Sequence, residues 1–232
     1  MILAFETSAK AASVALMEDG VLLGESFQNT GLTHSQTLMS MAEDLLCACG
    51  KSPQQVDVVA VAAGPGSFTG VRIGVAAAKG FAWGKEIPCY GVSTLEAMAR
   101  NLGVWQGYVV PTMDARRNQT YTAIFHAESG KLTRIQDDCA ISFEELGNLL
   151  KNIKESIFLV GDGAVLCYNT LIEAVPGLVL PPEHHRHQRA AGVALVAEDL
   201  MAAGVPGDGA SLTPNYLRLS QAERERLTQN NR

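Results

Sequence analysis

The sequence predicts an α/β fold made of two successive halves, each running βββαβαβα, with a cleft between them. Three observations carry this. Short apolar runs come in threes at the start of the chain and again from Tyr108. Each trio is followed by alternating helical and strand patterns. The run Val56 to Ala63 is almost continuously apolar, as in a strand covered on both faces of a sheet.

Taken in order, Ile2 to Phe5 is a buried strand stopped by Glu6-Thr7-Ser8, and Ser13 to Met17 is a second strand. Glu18-Asp19-Gly20 is a hairpin signal leading into a third, Val21 to Phe27. From Ser35 to Cys49, Leu38, Met41 or Ala42, Leu45 and Cys49 recur at helical spacing. The strand Val56 to Ala63 enters a glycine-rich loop, then a helix from Phe68 to Trp83, a strand at Ile87 to Tyr90 and a helix from Thr94 to Asn101. The second half repeats the order. Tyr108 to Met113, Thr120 to His126 and Leu132 to Ile135 read as strands. Ser142-Phe143-Glu144-Glu145 has the form of a capping box and opens a helix to about Lys151. Ile157 to Val160 is a strand ended by Gly161-Asp162-Gly163, and Ala164 to Ala174 is a helix closed before Pro176. Leu178 to Leu180 and Ala190 to Ala203 are the last strand and helix.

This is the element order of the actin, sugar-kinase and Hsp70 (ASKHA) class, an actin-like fold with ribonuclease H-like halves. The boundary is expected near Gly103 to Gly107. That gives an N-terminal subdomain at 1–105 and a C-terminal one at 106–232, whose last segment packs back on the first.

At 232 residues the chain can bury roughly 70% of its unfolded surface and needs no disulfide or metal staple. A net charge of -6 argues against strong sequence-independent binding to a phosphate backbone. If RNA is involved, a partner is expected to hold it. The five cysteines, Cys47, Cys49, Cys89, Cys139 and Cys167, include no C-x-x-C pair and read as reduced, mostly buried thiols. The N-terminus lacks the pattern of a signal peptide, and no segment has the apolar length of a membrane span, so a cytoplasmic protein is expected.

Gly64-Pro65-Gly66-Ser67-Phe68-Thr69-Gly70 lies between a buried strand and a helix, where glycines permit close approach and helix N–H groups attract anions. It is not a Walker A loop, because Val71-Arg72 stands where Lys-Ser/Thr is required, and its glycine spacing is not a dinucleotide fingerprint. Two readings stay open: an anion site, or glycines that only turn a tight corner. The candidate ligand-binding residues are Gly64, Gly66, Ser67, Thr69 and Gly70, with Asp114 and Arg116 facing them across the cleft. Asp114 and Arg116 could instead simply pair and hold their loop.

The helix behind the loop has almost no polar face, with Arg72 and Lys79 the exceptions, and such a helix must be buried all round. One side packs on its sheet; the other needs a second helix or a partner chain. Met39, Met41, Leu46, Arg72, Val75, Ala77, Ala78 and Lys79 are the candidate partner interface, since methionines suit adaptable surfaces and small residues allow close approach.

Four stretches resemble the TsaB (YeaZ) family: Ile2 to Ser8, Gly64 to Gly74, Gly91-Val92-Ser93-Thr94-Leu95-Glu96-Ala97 and Met113-Asp114-Ala115-Arg116-Arg117. The late stretch Pro214-Asn215-Tyr216-Leu217-Arg218 agrees with them. The resemblance implies a role in making threonylcarbamoyladenosine (t6A) beside the anticodon of tRNAs reading A-starting codons. It implies a TsaD-like catalytic paralogue as partner through the N-terminal-half helices, and a TsaE-like ATPase. tRNA is met only through the complex, and the same helices pair two copies when TsaD is absent. TsaD carries two metal-binding His residues four apart on a helix; Thr94 and Met98 stand at the matching positions, and neither is a credible ligand. Lys10 and Ala11 stand where TsaD has an acidic pair. The expectation is therefore a non-catalytic subunit with no catalytic residue, no metal site and no intrinsic cofactor. The alternative is a phosphotransferase or ATPase holding ATP or ADP in the cleft, with a metalloprotease-like hydrolase ranked behind it. His184, His185 and His187 read as a solvated loop, His34 as a cap-region polar residue or one facing the cleft or interface, and 221–232 as a frayed helix.

Overall fold

The computed structural model describes residues 1–102 and 106–218. The first half comprises β1 (Ile2–Glu6), β2 (Ala12–Glu18), β3 (Val21–Gln28), α1 (His34–Ala48), β4 (Val58–Gly64), α2 (Phe68–Lys85), β5 (Cys89–Ser93) and α3 (Thr94–Arg100). The second comprises β6 (Gly107–Asp114), β7 (Gln119–Glu128), β8 (Lys131–Ser142), α4 (Phe143–Leu150), β9 (Ile157–Val160), α5 (Ala164–Leu171), β10 (Leu178–Val179), the short α6 (Glu183–Arg186) and α7 (Ala190–Ala202).

Each half forms a five-stranded sheet, and the two orders are the same: β3-β2-β1-β4-β5 and β8-β7-β6-β9-β10. In each, an antiparallel meander is extended by parallel strands; β1 pairs antiparallel with β2 (Ile2↔Met17) and parallel with β4 (Leu3↔Val59). This duplicated mixed sheet is the actin-like fold. The capping box at Ser142 forms, its hydroxyl accepting from the Glu145 N–H at 3.1 Å while Glu145 accepts from the Ser142 N–H at 2.8 Å.

The first sheet is covered on both faces, which is why Val58 to Gly64 is apolar throughout. Leu3, Phe5, Val14, Val59 and Val61 pack beneath α1 and α2. Ile2, Ala4, Ala15, Met17 and Ala60 pack against α7. The last helix thus crosses from the second half onto the first sheet, while α3 covers the second sheet through Leu95 and Met98, with Leu102 just after it. Arg189, at the N-cap of α7, donates to buried Glu25 Oε2 from Nε at 2.9 Å and from Nη2 at 2.5 Å, fixing that crossing. After α7, residues 205–218 form a strap. Val205 carbonyl accepts from the Tyr90 hydroxyl at 2.9 Å, and Asn215 N–H donates to Ala63 carbonyl at 2.6 Å.

Several expectations are corrected. β8 runs to Ser142 instead of stopping at Ile135, because Gln136-Asp137-Asp138 stays in the edge strand: Arg134 bridges Asp138 at 2.6 Å and Glu96 of α3 at 2.5 Å. The three histidines lie on or beside α6 rather than in a loop, with His184 and His185 exposed. Only Cys89 and Cys167 are buried, their thiols pushed up by burial to about 11 and about 12; Cys47 is exposed and Cys49 and Cys139 are half-buried. The expected boundary at 103–107 falls partly, and the expected tail helix at 221–232 wholly, outside the described residues. No helix among the described residues is long and apolar enough to cross a membrane.

Candidate functional site

Because the two meanders face each other, their loops converge on one cleft of about 480 Å³. Ser8, Ala9, Lys10, Gly66, Ser67 and Phe68 line it from the first half; Met113, Asp114, Ala115, Arg116, Tyr121 and Asp162 line it from the second. Of the candidate ligand residues, the fold therefore gathers Gly66, Ser67, Asp114 and Arg116. Gly64, Thr69 and Gly70 are not among the lining residues, for reasons that differ. Gly64 adopts φ +118°, and a side chain there would run into the Asn215 carbonyl of the strap. Gly70 lies so close to Thr7 that a Cβ would meet the Thr7 carbonyl, while the Thr7 hydroxyl donates to Gly70 carbonyl at 2.8 Å. Thr69 is exposed.

The loop bonds both to the β1–β2 connection and within itself. Ser67 N–H donates to Ser8 carbonyl at 2.7 Å, and Ser67 Oγ, capping α2, accepts from Gly70 N–H at 3.3 Å. The tight-corner reading accounts for Gly64 and Gly70, and cleft access remains at Gly66 and Ser67. Across the cleft, Asp114 Oδ1 accepts the Arg116 N–H at 2.7 Å and its other oxygen lies 3.6 Å from the Arg116 guanidinium. Asp114 thus holds its own turn.

Two carboxyls that the sequence reading passed over sit at this site. Glu6 is fully buried, and burial first, with Asp162 adding repulsion, raises its pKa to about 7. Its Oε2 meets no hydrogen-bond partner among the described residues. Asp162 reaches solvent but is closely walled by the cleft; confinement is the main cause of its raised pKa, offset in part by Gln188, which donates to it at 2.9 Å. Glu6 stands in a recognisable strand-end stretch and Asp162 between two glycines. Both read from sequence as structure breakers, since nothing local shows that they converge.

The positions matched to a His pair are filled by packing. Thr94 is fully buried and Met98 is 2% exposed in the core beneath the second sheet. Among the described residues no group of three or more His, Cys, Asp and Glu side chains is placed to hold a metal ion. His34 Nε2 lies 2.8 Å from Ala9 carbonyl, tying the start of α1 to the cleft loop; Thr33, not His34, is the N-cap.

The second candidate region is the outer face of α1 and α2. Here four interface candidates are corrected: Met41, Leu46, Val75 and Ala78 all point into the first core, at 5% exposure or less, and are unavailable to a partner. Lys79 is half-buried and donates to the strap carbonyls of Ala210 and Leu212 at 3.2 and 2.9 Å. Met39 (46% exposed) and Arg72 remain open, and Ala77 is half-buried. The expectation that α2 is buried all round does not hold within this chain. Ala76, Gly80, Trp83 and Gly84 form an exposed stripe, and Trp83 is 86% exposed. Beside it lies an apolar cavity of about 390 Å³, walled by Trp83, Ile87 and the strap residues Gly209 and Ala210.

Residues 28–225 match the family described as TsaD: tRNA N6-adenosine threonylcarbamoyltransferase. The chain is similar to tRNA threonylcarbamoyladenosine biosynthesis protein TsaB of Bacillus subtilis, 34% identical over 224 residues and 96% of each chain. It is 36% identical to the protein of that name from Escherichia coli over 149 residues, 62% of this chain and 63% of the other. Among solved structures, YeaZ from Pseudomonas aeruginosa superposes with a TM-score of 0.75 at 26% identity, covering 93% of this chain and 99% of that one. Component A of (R)-2-hydroxyglutaryl-CoA dehydratase from Acidaminococcus fermentans superposes at 0.54 with 12% identity, covering 87% of this chain and 98% of that one, a likeness of fold alone.

Proposed function

Because the chain belongs to the TsaB (YeaZ) family and so takes part in t6A biosynthesis on tRNA, we propose that it is a non-catalytic subunit that stabilises and activates a TsaD-like transferase. The observation that carries this is the uncovered stripe Ala76, Gly80, Trp83 and Gly84 on α2. An isolated apolar side chain on a surface needs no explanation, but a Trp that is 86% exposed, beside two glycines and an apolar cavity, is an interface awaiting a partner. Small residues let a partner helix approach closely, and the Trp supplies the anchor. The buried Thr94 and Met98 support the non-catalytic part, since neither side chain offers a ligand to a divalent cation.

In this reading a TsaE-like ATPase joins the pair, the modified adenosine lies beside the anticodon of tRNAs that read A-starting codons, and the work is cytoplasmic. Without its partner, the chain covers the α2 stripe with a second copy of itself. A second reading, ATP or ADP held in the cleft by a phosphotransferase or ATPase, is motivated by the glycine loop, whose Gly66 and Ser67 line the cleft at the start of α2; Lys10, standing where TsaD has an acidic residue, opposes it.

Co-expression with the TsaD paralogue tests the proposal. The two chains are expected to elute together in size-exclusion chromatography. Separate elution of two folded chains would contradict it.

A further inference from the structure

In a chain of net charge -6, the described residues at the mouth of the cleft include a cluster of cations. Lys10 and Arg116 line the cleft from opposite halves, and both are exposed. Arg117 follows, also exposed. Arg218 of the strap donates to Ala115 carbonyl at 2.5 Å, which places a third guanidinium beside the same turn. Arg72 Nε donates to the Tyr216 hydroxyl at 2.7 Å, and its guanidinium lies 5.5 Å from the Tyr216 ring centre and 5.9 Å from that of Phe68. Those two rings stack at 4.5 Å. Arg72 and Arg218 are thus held by neutral groups, which orient a cation without cancelling its charge. Among the described residues the acids nearby are Asp114, Asp162 and buried Glu6, and Asp114 forms an ion pair with the Arg116 guanidinium at 3.6 Å.

The turn that presents the two arginines is held in an unfavourable shape. Arg116, Arg117 and Asn118 take φ values of 65°, 57° and 57°, left-handed backbone that costs L-residues roughly 1–2 kcal/mol each. Asp114, accepting the Arg116 N–H, and Arg218, on the Ala115 carbonyl, brace it from either side.

We infer that Lys10, Arg116 and Arg117, flanked by Arg218 and Arg72, form a direct contact surface for the phosphate backbone of the tRNA substrate. The inference rests on the subunit reading above and adds to it, since the sequence alone gave RNA to a partner. Planar guanidinium forks suit phosphate oxygens, and the stacked Phe68–Tyr216 pair beside Arg72 is the kind of platform that accompanies them at RNA surfaces. A protein partner would need an apolar centre to its patch; the exposed residues that line the cleft, Lys10, Ser67, Arg116 and Asp162, are all polar. The overall negative charge does not oppose the contact, because it repels RNA elsewhere and leaves one face to receive it.

The test uses the complex of this chain with its TsaD-type partner and an unmodified tRNA transcript, with affinity measured from 50 to 200 mM KCl. Each phosphate contact contributes roughly 0.7–0.9 to the slope of log affinity against log salt. The variant Lys10→Gln/Arg116→Gln/Arg117→Gln is expected to lower that slope by about two and weaken binding roughly tenfold or more at the low-salt end. Arg116→Lys/Arg117→Lys is expected to keep the slope. An unchanged slope in an assembled triple-variant complex overturns the inference. So does a folded triple variant that no longer joins its partner, since the patch is then a protein contact. If the triple variant does not fold, Arg117→Gln alone is read the same way, with a slope change of about one. Failure of the wild-type chain to join the partner contradicts the subunit reading separately. The isolated chain then decides the patch by the presence or absence of the same slope difference.

Discussion

Glu6 ends β1 with its carboxyl wholly enclosed: Oε1 accepts the Ser8 N–H at 2.6 Å, Oε2 meets no donor among the described residues, and the Asp162 charge acts on it. Burial is the larger cause of its pKa of about 7, and the Asp162 charge adds to it. Below about pH 4.5 the group is neutral in both folded and unfolded chains. Between there and about pH 7 the unfolded chain releases the proton and the folded chain retains it, so stability falls as pH rises. Above pH 7 the penalty is complete, on the order of 3 kcal/mol from a shift of that size. Glu6→Gln keeps an acceptor for Ser8 N–H and removes the charge. Urea denaturation should find the variant more stable than wild type at pH 8, with the gap closing towards pH 4.5. A gap that stays constant with pH would show that Glu6 does not titrate in this way. None of this was legible in the sequence. Glu6 reads there as a strand terminator, because its enclosure and the charge of Asp162 come from parts of the fold remote in sequence.

At the scale of the element, α2 shows what periodicity can and cannot assign. Its start at Phe68 follows from the glycine loop, and its apolar character was plain. Its end was placed two residues short, because Gly84-Lys85 continues the helix until Glu86 turns left-handed at φ 56°. Which apolar side faces inward was not legible, since a helix without a polar face has no marked orientation. Hence Val75 and Ala78, expected at a partner interface, are core, whereas Ala76 and Trp83 are open. On α1 the same ambiguity placed Met41 and Leu46 outside when they lie inside. The contrast gives a paired test. Ala76→Glu should leave the chain folded and break co-elution with the TsaD-like partner. Ala78→Glu puts an unpaired carboxylate into the first core and should cost several kcal/mol, enough to unfold much of the chain. Circular dichroism and size-exclusion chromatography separate the two. Intact assembly of Ala76→Glu would move the interface elsewhere.

At the scale of the whole molecule, the order of elements and the duplicated sheets were legible, because strand trios and hairpin turns are local signals. The contacts that hold the last segment on the first half were not. Ala190–Ala202 has the pattern of a buried helix, and the Glu25–Arg189 pair, the bond from Ala190 N–H to Ser13 Oγ and its fit beneath Ile2, Ala4 and Ala60 place it on the first sheet. The strap likewise brings Tyr216 to Phe68 and Arg218 to Ala115, joining the start of α2 to the far wall of the cleft. The molecule presents an exposed apolar stripe on α2 and a group of exposed cations at the cleft mouth. That arrangement suits a subunit set between a catalytic paralogue and a shared tRNA. The most direct measurement is t6A formation in a reconstituted system holding the TsaD paralogue, the TsaE-like ATPase, threonylcarbamoyl donor and tRNA, with and without this chain. The account predicts that product forms only when the chain is present and that the chain alone forms none. Full product without it, or transfer by the chain alone, would contradict the account.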